Sequence, residues 1–167
     1  MITLHRARTC AVVVDGDRVA ALGPYEELAA VYGGQARLRE WDGTLTPGRY
    51  EPDAPALLEA AYWPDPREDL GCEPLTGGTL AALAMTDVRW GASARRGLQR
   101  LLAAGTTAVA GPFARPSVRT AVERSGLPVL PAPRPLTVSG RADFAVLGDD
   151  SACLVTCIGG RLLYRAR

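Results

Sequence analysis

Lysine and asparagine are absent from the 167-residue chain, and histidine occurs once, at His5. All 19 basic residues are therefore arginine. Without lysine there is no Schiff base, no lysine general base and no carbamylated metal ligand. A single histidine excludes a histidine cluster for a metal and a histidine-based triad within one chain. A net charge of +1 gives no field for nucleic acid or an anionic membrane. No apolar run approaches the roughly 20 residues that span a bilayer. The opening "MITLHRARTC" lacks the apolar core of a signal peptide. The expectation is a soluble, cytoplasmic protein that binds neither nucleic acid nor membrane.

Cysteine is sparse: Cys10, Cys72, Cys153 and Cys157, with no CxxC. In a reducing compartment these are thiols. Cys153, Val155 and Cys157 alternate as one face of a strand, which is core patterning rather than a redox or metal motif. What the chain does have is apolar mass, at 47% hydrophobic residues, so a substantial core is expected.

The first third reads as short strands. Apolar runs at Cys10–Val14 and Arg18–Leu22 flank Asp15-Gly16-Asp17, a hairpin signal. Pro24 opens a short helix, with Leu28, Val31 and Tyr32 on one face and Gly33-Gly34 ending it. "ARLREWDG" is an alternating strand with Leu38 and Trp41 inward. Residues 50–78 are rich in proline, glycine and acid, with a short helix at about Ala54–Ala61 before an irregular loop. Helical runs follow at about Leu80–Trp90 and Ala92–Ala104, the second with Leu98, Leu101 and Leu102 on one face. The run "TTAVAG", a helix from Pro116 to Gly126 and the run "LPVL" complete a βαβ rhythm, implying parallel strands. The last 30 or so residues return to short strands.

These words, in this order, resemble the amidohydrolase superfamily, especially its imidazolonepropionase and aminodeoxyfutalosine deaminase branch. "VVVDGDRVAALGPYEEL" is similar to the family's opening hairpin and helix, and "EWDGTLTPG" to its strand leading into the barrel. "LQRLLAAGTTAVAG" is similar to a barrel helix and second strand, and "GRADFAVLGDDSACLVTCIGGRLLYRAR" to the closing strands. The resemblance implies a composite β-sandwich from both chain ends, residues 1–47 plus 137–167. It implies an inserted βαβ remnant of a TIM-like barrel at 48–136, giving a mixed α/β fold. It nominally implies hydrolysis of non-peptide carbon–nitrogen bonds with a metal-activated water. Here the chain departs. The family's His-x-His pair after Pro47-Gly48 falls on Asp53 and Pro55, and the later ligands have no counterpart. No metal, no cofactor and no catalytic residue is therefore expected.

Several residues could still carry chemistry. Glu51 and Asp53 could form an acid/base pair, or belong to a solvated loop between prolines. Asp65, Glu68, Asp69 and Glu73 could meet a divalent cation, but their spacing matches no Ca²⁺ loop. Arg95, Arg96 and Arg100 read as the wet face of a helix and His5 as a surface or edge-strand residue. A retained ligand cleft would lie beyond the strand ends, at Glu51, Asp53, Gly111 and Phe113, with Trp63 and Trp90 packed nearby. Three functions follow: a non-catalytic binding, accessory or scaffolding protein, which is preferred; a hydrolase completed by a partner chain or by metal-free chemistry at Glu51, Asp53 and Cys72; or a small-molecule binding module. A homodimer or a partner protein would cover an exposed sheet edge.

Overall fold

The computed structural model describes residues 1–166. It is a mixed α/β fold with two four-stranded sheets, a two-stranded sheet and five α-helices among the described residues. The chain divides into two compact units. Unit 1 holds Met1–Arg49, Leu102–Thr107 and the segment from Pro133 onward; unit 2 holds Tyr50–Leu101 and Ala108–Ala132.

In unit 1, β1 (Ile2–Arg6), β2 (Ala11–Asp15), β3 (Arg18–Gly23) and β4 (Arg37–Glu40) form one sheet in the order β3-β2-β1-β4. The Asp-Gly turn makes the expected β2–β3 hairpin, with Gly16 at φ 60°. β1 pairs β4 in parallel. Leu4, Ala11 and Val13 point to one face, where α1 (Tyr25–Tyr32) covers them with Leu28. Val12, Val14 and Val19 point to the other and join Ala142, Phe144, Val146, Val155 and Cys157 of the second sheet in one core. That second sheet runs β10-β9-β8-β5, from β5 (Thr44–Thr46), β8 (Phe144–Leu147), β9 (Cys153–Ile158) and β10 (Arg161–Arg165). Full burial of Phe144 alone removes apolar surface worth about 2–3 kcal/mol.

Four expectations need correction here. His5 is 2% exposed, on a strand paired on both sides. Its place beside Arg6 and Arg8 suggested a surface or edge-strand residue, but both faces of this sheet are covered. Val31 is 67% exposed, because α1 buries only Leu28. Leu38 lies on the edge strand β4 and is 44% exposed, while Trp41 packs inward. Cys153 does not share the face of Val155 and Cys157. The β8–β9 register shifts after Val146, so Leu147 pairs Cys153 while Val146 pairs Val155. The extra residue turns Cys153 to the opposite face, where its sulfur lies 3.2 Å from the Thr156 hydroxyl.

Unit 2 holds α2 (Ala54–Glu59), α3 (Gly77–Ala81), α5 (Pro116–Ser125) and most of α4 (Asp87–Ala103), together with the ends of β6 (Arg49–Glu51) and β7 (Thr106–Val109), both of which begin in unit 1. The two helical runs expected around 80–104 are instead a short α3 and one continuous α4. Thr86 ends the intervening loop, its hydroxyl accepting from Arg89 N–H at 3.2 Å, a side-chain N-cap. Gly91 does not break the helix, because it is buried where α5 approaches: a Cβ there would lie 3.5 Å from that of Ser117. Gly97 has a similar reason. A Cβ there would come within 2.7 Å of both Leu58 Cδ2 and Trp63 Nε1.

Candidate functional site

The expected cleft lies where β6 and β7 end. Pro47-Gly48 makes the turn into β6, with Gly48 at φ 82° and its N–H donating to Thr46 Oγ1 at 3.0 Å. Arg49 N–H donates to Gly105 O and Ala110 N–H to Glu51 O, so the bonds advance together along both strands, the parallel sense. On its other side β7 pairs residues 128–130, through Val109 N–H to Pro128 O and Leu130 N–H to Val109 O, again in parallel. The βαβ rhythm thus resolves into three parallel strand segments.

Of the side chains at these ends, only Asp53 is left without a partner among the described residues. Glu51 Oε1 accepts from Asp53 N–H at 2.9 Å, a local turn contact. Asp53 is exposed, stands at the N-cap of α2 and makes no side-chain cap bond. Pro55 is in the first turn of that helix, where its missing N–H costs nothing. The Phe113 side chain is 6% exposed, and its carbonyl accepts from Arg119 Nη1 at 3.1 Å. Only Gly111 of the expected cleft residues lines a groove there, an open apolar one shared with Tyr50, Pro112, Val129, Leu130 and Pro131. Gly111 approaches closely: a Cβ on it would lie 2.8 Å from Val129 Cγ1. The Tyr50 hydroxyl donates to Leu130 O at 2.9 Å, tying the groove's two sides.

Glu59, which nothing in the sequence marks, is a structural carboxylate. It accepts from Ala114 N–H at 3.0 Å and Arg115 N–H at 2.6 Å, fixing the loop between β7 and α5. Arg115 lies 4.2 Å over the buried Trp90 ring.

The acidic loop closes into a network. Tyr62, 1% exposed, donates to Glu68 Oε2 at 2.5 Å, and Arg89 Nη2 meets Glu68 Oε1 at 2.8 Å. Arg96 Nε donates to Trp63 O at 2.7 Å, and its Nη1 lies 3.7 Å from Asp65. Arg96 therefore leaves the expected wet face and packs inward, unlike exposed Arg95 and Arg100. Asp65 and Glu68 cap the 3-10 turn Pro66–Glu68 reciprocally. Hydrogen bonds from the Tyr62 hydroxyl, from Asp65 N–H and from Arg89 hold the Glu68 carboxyl down at about 2. Burial, then the bond to Glu68, raises Tyr62. Trp63 is fixed by Ser93 Oγ at 2.9 Å from its N–H and by Leu57 O at 2.9 Å from its indole.

The donor set at the strand ends does not fit the metal that the family resemblance implies. Asp53 and Pro55 offer one carboxylate between them. His5 lies in the core of unit 1, its Nδ1 accepting from Trp41 Nε1 at 3.1 Å and its ring edge-on to Phe144 at 5.0 Å. Burial, and secondarily the Arg39 cation, lower His5 to about 4. Among the described residues no group of three His, Cys, Asp or Glu side chains could hold a metal ion. Cys157 is pushed up to about 12 by burial and then by Asp143, the reverse of a reactive thiolate. No helix among the described residues is long and apolar enough to cross a membrane.

Residues 11–34, the β2–β3 hairpin and α1, match a family described as the imidazolonepropionase-like composite domain of bacteria. The chain is also similar in fold to A. niger ochratoxinase, with a TM-score of 0.50 and 17% identity over 77% of this chain and 30% of that one. It aligns with guanine deaminase from Bradyrhizobium japonicum at a TM-score of 0.44 and 22% identity, covering 74% of this chain and 28% of the deaminase. The chain thus spans less than a third of the length of either protein. No curated protein matches it in sequence.

Proposed function

We propose that this chain carries an imidazolonepropionase-like composite domain and binds rather than catalyses, acting as an accessory or scaffolding relative of metal-dependent carbon–nitrogen hydrolases. In this reading the two facing sheets of unit 1 are the family's β-sandwich, and the parallel segments of unit 2 are a barrel remnant. The observation that carries it is the fate of the carboxylates. Glu51 and Glu59 accept from backbone N–H groups and Glu68 from Tyr62 and Arg89, so of the candidate Glu51–Asp53 acid/base pair only the exposed Asp53 stays uncommitted, without a paired carboxylate. A second reading, a small-molecule binding module, draws support from the apolar groove at Tyr50, Gly111 and Val129. A partner chain completing a hydrolase stays a lesser alternative. Pro128 and Pro131 flank the outer strand segment and blunt the edge that such a partner would extend. The test is hydrolysis of imidazolone propionate by the purified chain with Zn²⁺ or Fe²⁺ added. The reading expects no turnover above the metal-only blank; a metal-dependent rate that scales with protein concentration would end it.

A further inference from the structure

Away from the strand ends, α4 and α5 enclose a second cleft. The helices run side by side in the same direction, with Gly91 against Ser117 at one end and Gln99 across from Ser125 further along. Between them the gap is floored by Leu98 and Ala121, 1% and 5% exposed, and rimmed by Arg95 and Gln99 on α4 and Arg124 on α5. Arg95 and Arg124 thus line the cleft from different helices, Arg95 reaching back so that its Nη1 would lie 3.7 Å from a Cβ on Gly91.

Their charge is uncommitted. On the same α4, Arg89 and Arg96 are bound to Glu68 and Asp65. Neither Arg95 nor Arg124 has an acidic partner among the described residues, and no acid lines the cleft. Arg124 stands in the last turn of α5, where the helix carbonyl end favours a cation. Two forked donors above buried aliphatic carbon suit a planar anion with an apolar body better than a compact inorganic one.

We propose that the α4–α5 cleft binds a small organic carboxylate, its carboxylate held by Arg95 and Arg124 and its apolar body resting on Leu98 and Ala121. This site shares no residue with the strand-end groove, so its failure leaves the functional reading above untouched.

Benzoate is the probe, titrated into the isotope-labelled full chain by two-dimensional amide NMR, with inorganic phosphate titrated in parallel. The expected result is saturable movement of the Gln99, Ala121 and Ser125 amides. Arg95→Gln and Arg124→Gln should each weaken binding by about tenfold or more, the loss of one charge-assisted contact. Arg100→Gln, an exposed position on α4 outside the cleft, should bind like the parent. Shifts that do not saturate, or that persist equally in both cleft variants, overturn the proposal. Phosphate binding as tightly as benzoate overturns the part assigned to the apolar floor.

Discussion

Acidification should weaken the folded chain through His5 before the bulk of its carboxylates protonate. The imidazole is 2% exposed between the two sheets of unit 1, and Trp41 Nε1 donates to its Nδ1. Protonation would put a second positive charge near the Arg39 cation in a site shut off from water beside the Trp41 and Phe144 rings. Its folded value of about 4 lies below the ordinary 6.5. Between those values the unfolded chain takes up a proton that the folded chain refuses. The stabilisation is complete above pH 6.5 and is lost as pH falls toward 4. From neutral pH to pH 4.5 the loss is about 2.5 kcal/mol, a large share of an ordinary domain's stability. Urea unfolding followed by tryptophan fluorescence at steps from pH 7.5 to 4.5 measures it. His5→Gln keeps an acceptor for Trp41 but cannot titrate. The variant should start lower at pH 7 and then run nearly flat across this window. Parallel pH profiles for the parent and His5→Gln would refute the reasoning.

Gly97→Ala should destabilise by about 1–3 kcal/mol despite alanine's better helix propensity, because the new methyl meets Leu58 and Trp63 at 2.7 Å; the urea midpoint reports it. Glu59→Ala strands the Ala114 and Arg115 N–H groups and should cost about 1–2 kcal/mol, with faster hydrogen exchange at those two amides. Glu68→Gln should lower the melting temperature at pH 7 yet leave it unchanged near pH 2, where the parent carboxyl is itself protonating. Thiol titration at pH 8 should modify exposed Cys72 rapidly. Cys153 and Cys157, both buried with raised values, should react only after denaturant is added.

Local signals transferred well from sequence to structure. Asp15-Gly16-Asp17 makes the β2–β3 hairpin, and Gly126 closes α5 at φ 80°. Leu98, Leu101 and Leu102 are buried as their spacing implied. What failed depended on tertiary cover. His5 read as a surface or edge-strand residue beside Arg6 and Arg8, but its strand is paired on both sides and α1 and the second sheet cover both faces. Cys153 was misplaced because a one-residue bulge, invisible in the alternation, flips every side chain beyond it. Gly91 looked like a break and is a contact with α5. At the strand ends, Glu59 and Tyr50 were not legible. Their roles come from bonds to residues 55 and 80 positions away, which no local pattern encodes. The acidic loop read as solvated because its partners, Arg89 and Arg96, come from a helix more than 20 residues further on.

Metal stoichiometry tests the central claim most directly. Untagged protein incubated with Zn²⁺, Fe²⁺ and Mn²⁺, desalted and subjected to elemental analysis should retain less than about a tenth of an equivalent of any of them, as expected of a chain without a built ligand set. Close to one tightly held equivalent, lost on mutating Asp53, His5 or Cys72, would contradict the account and restore a metal-dependent hydrolase.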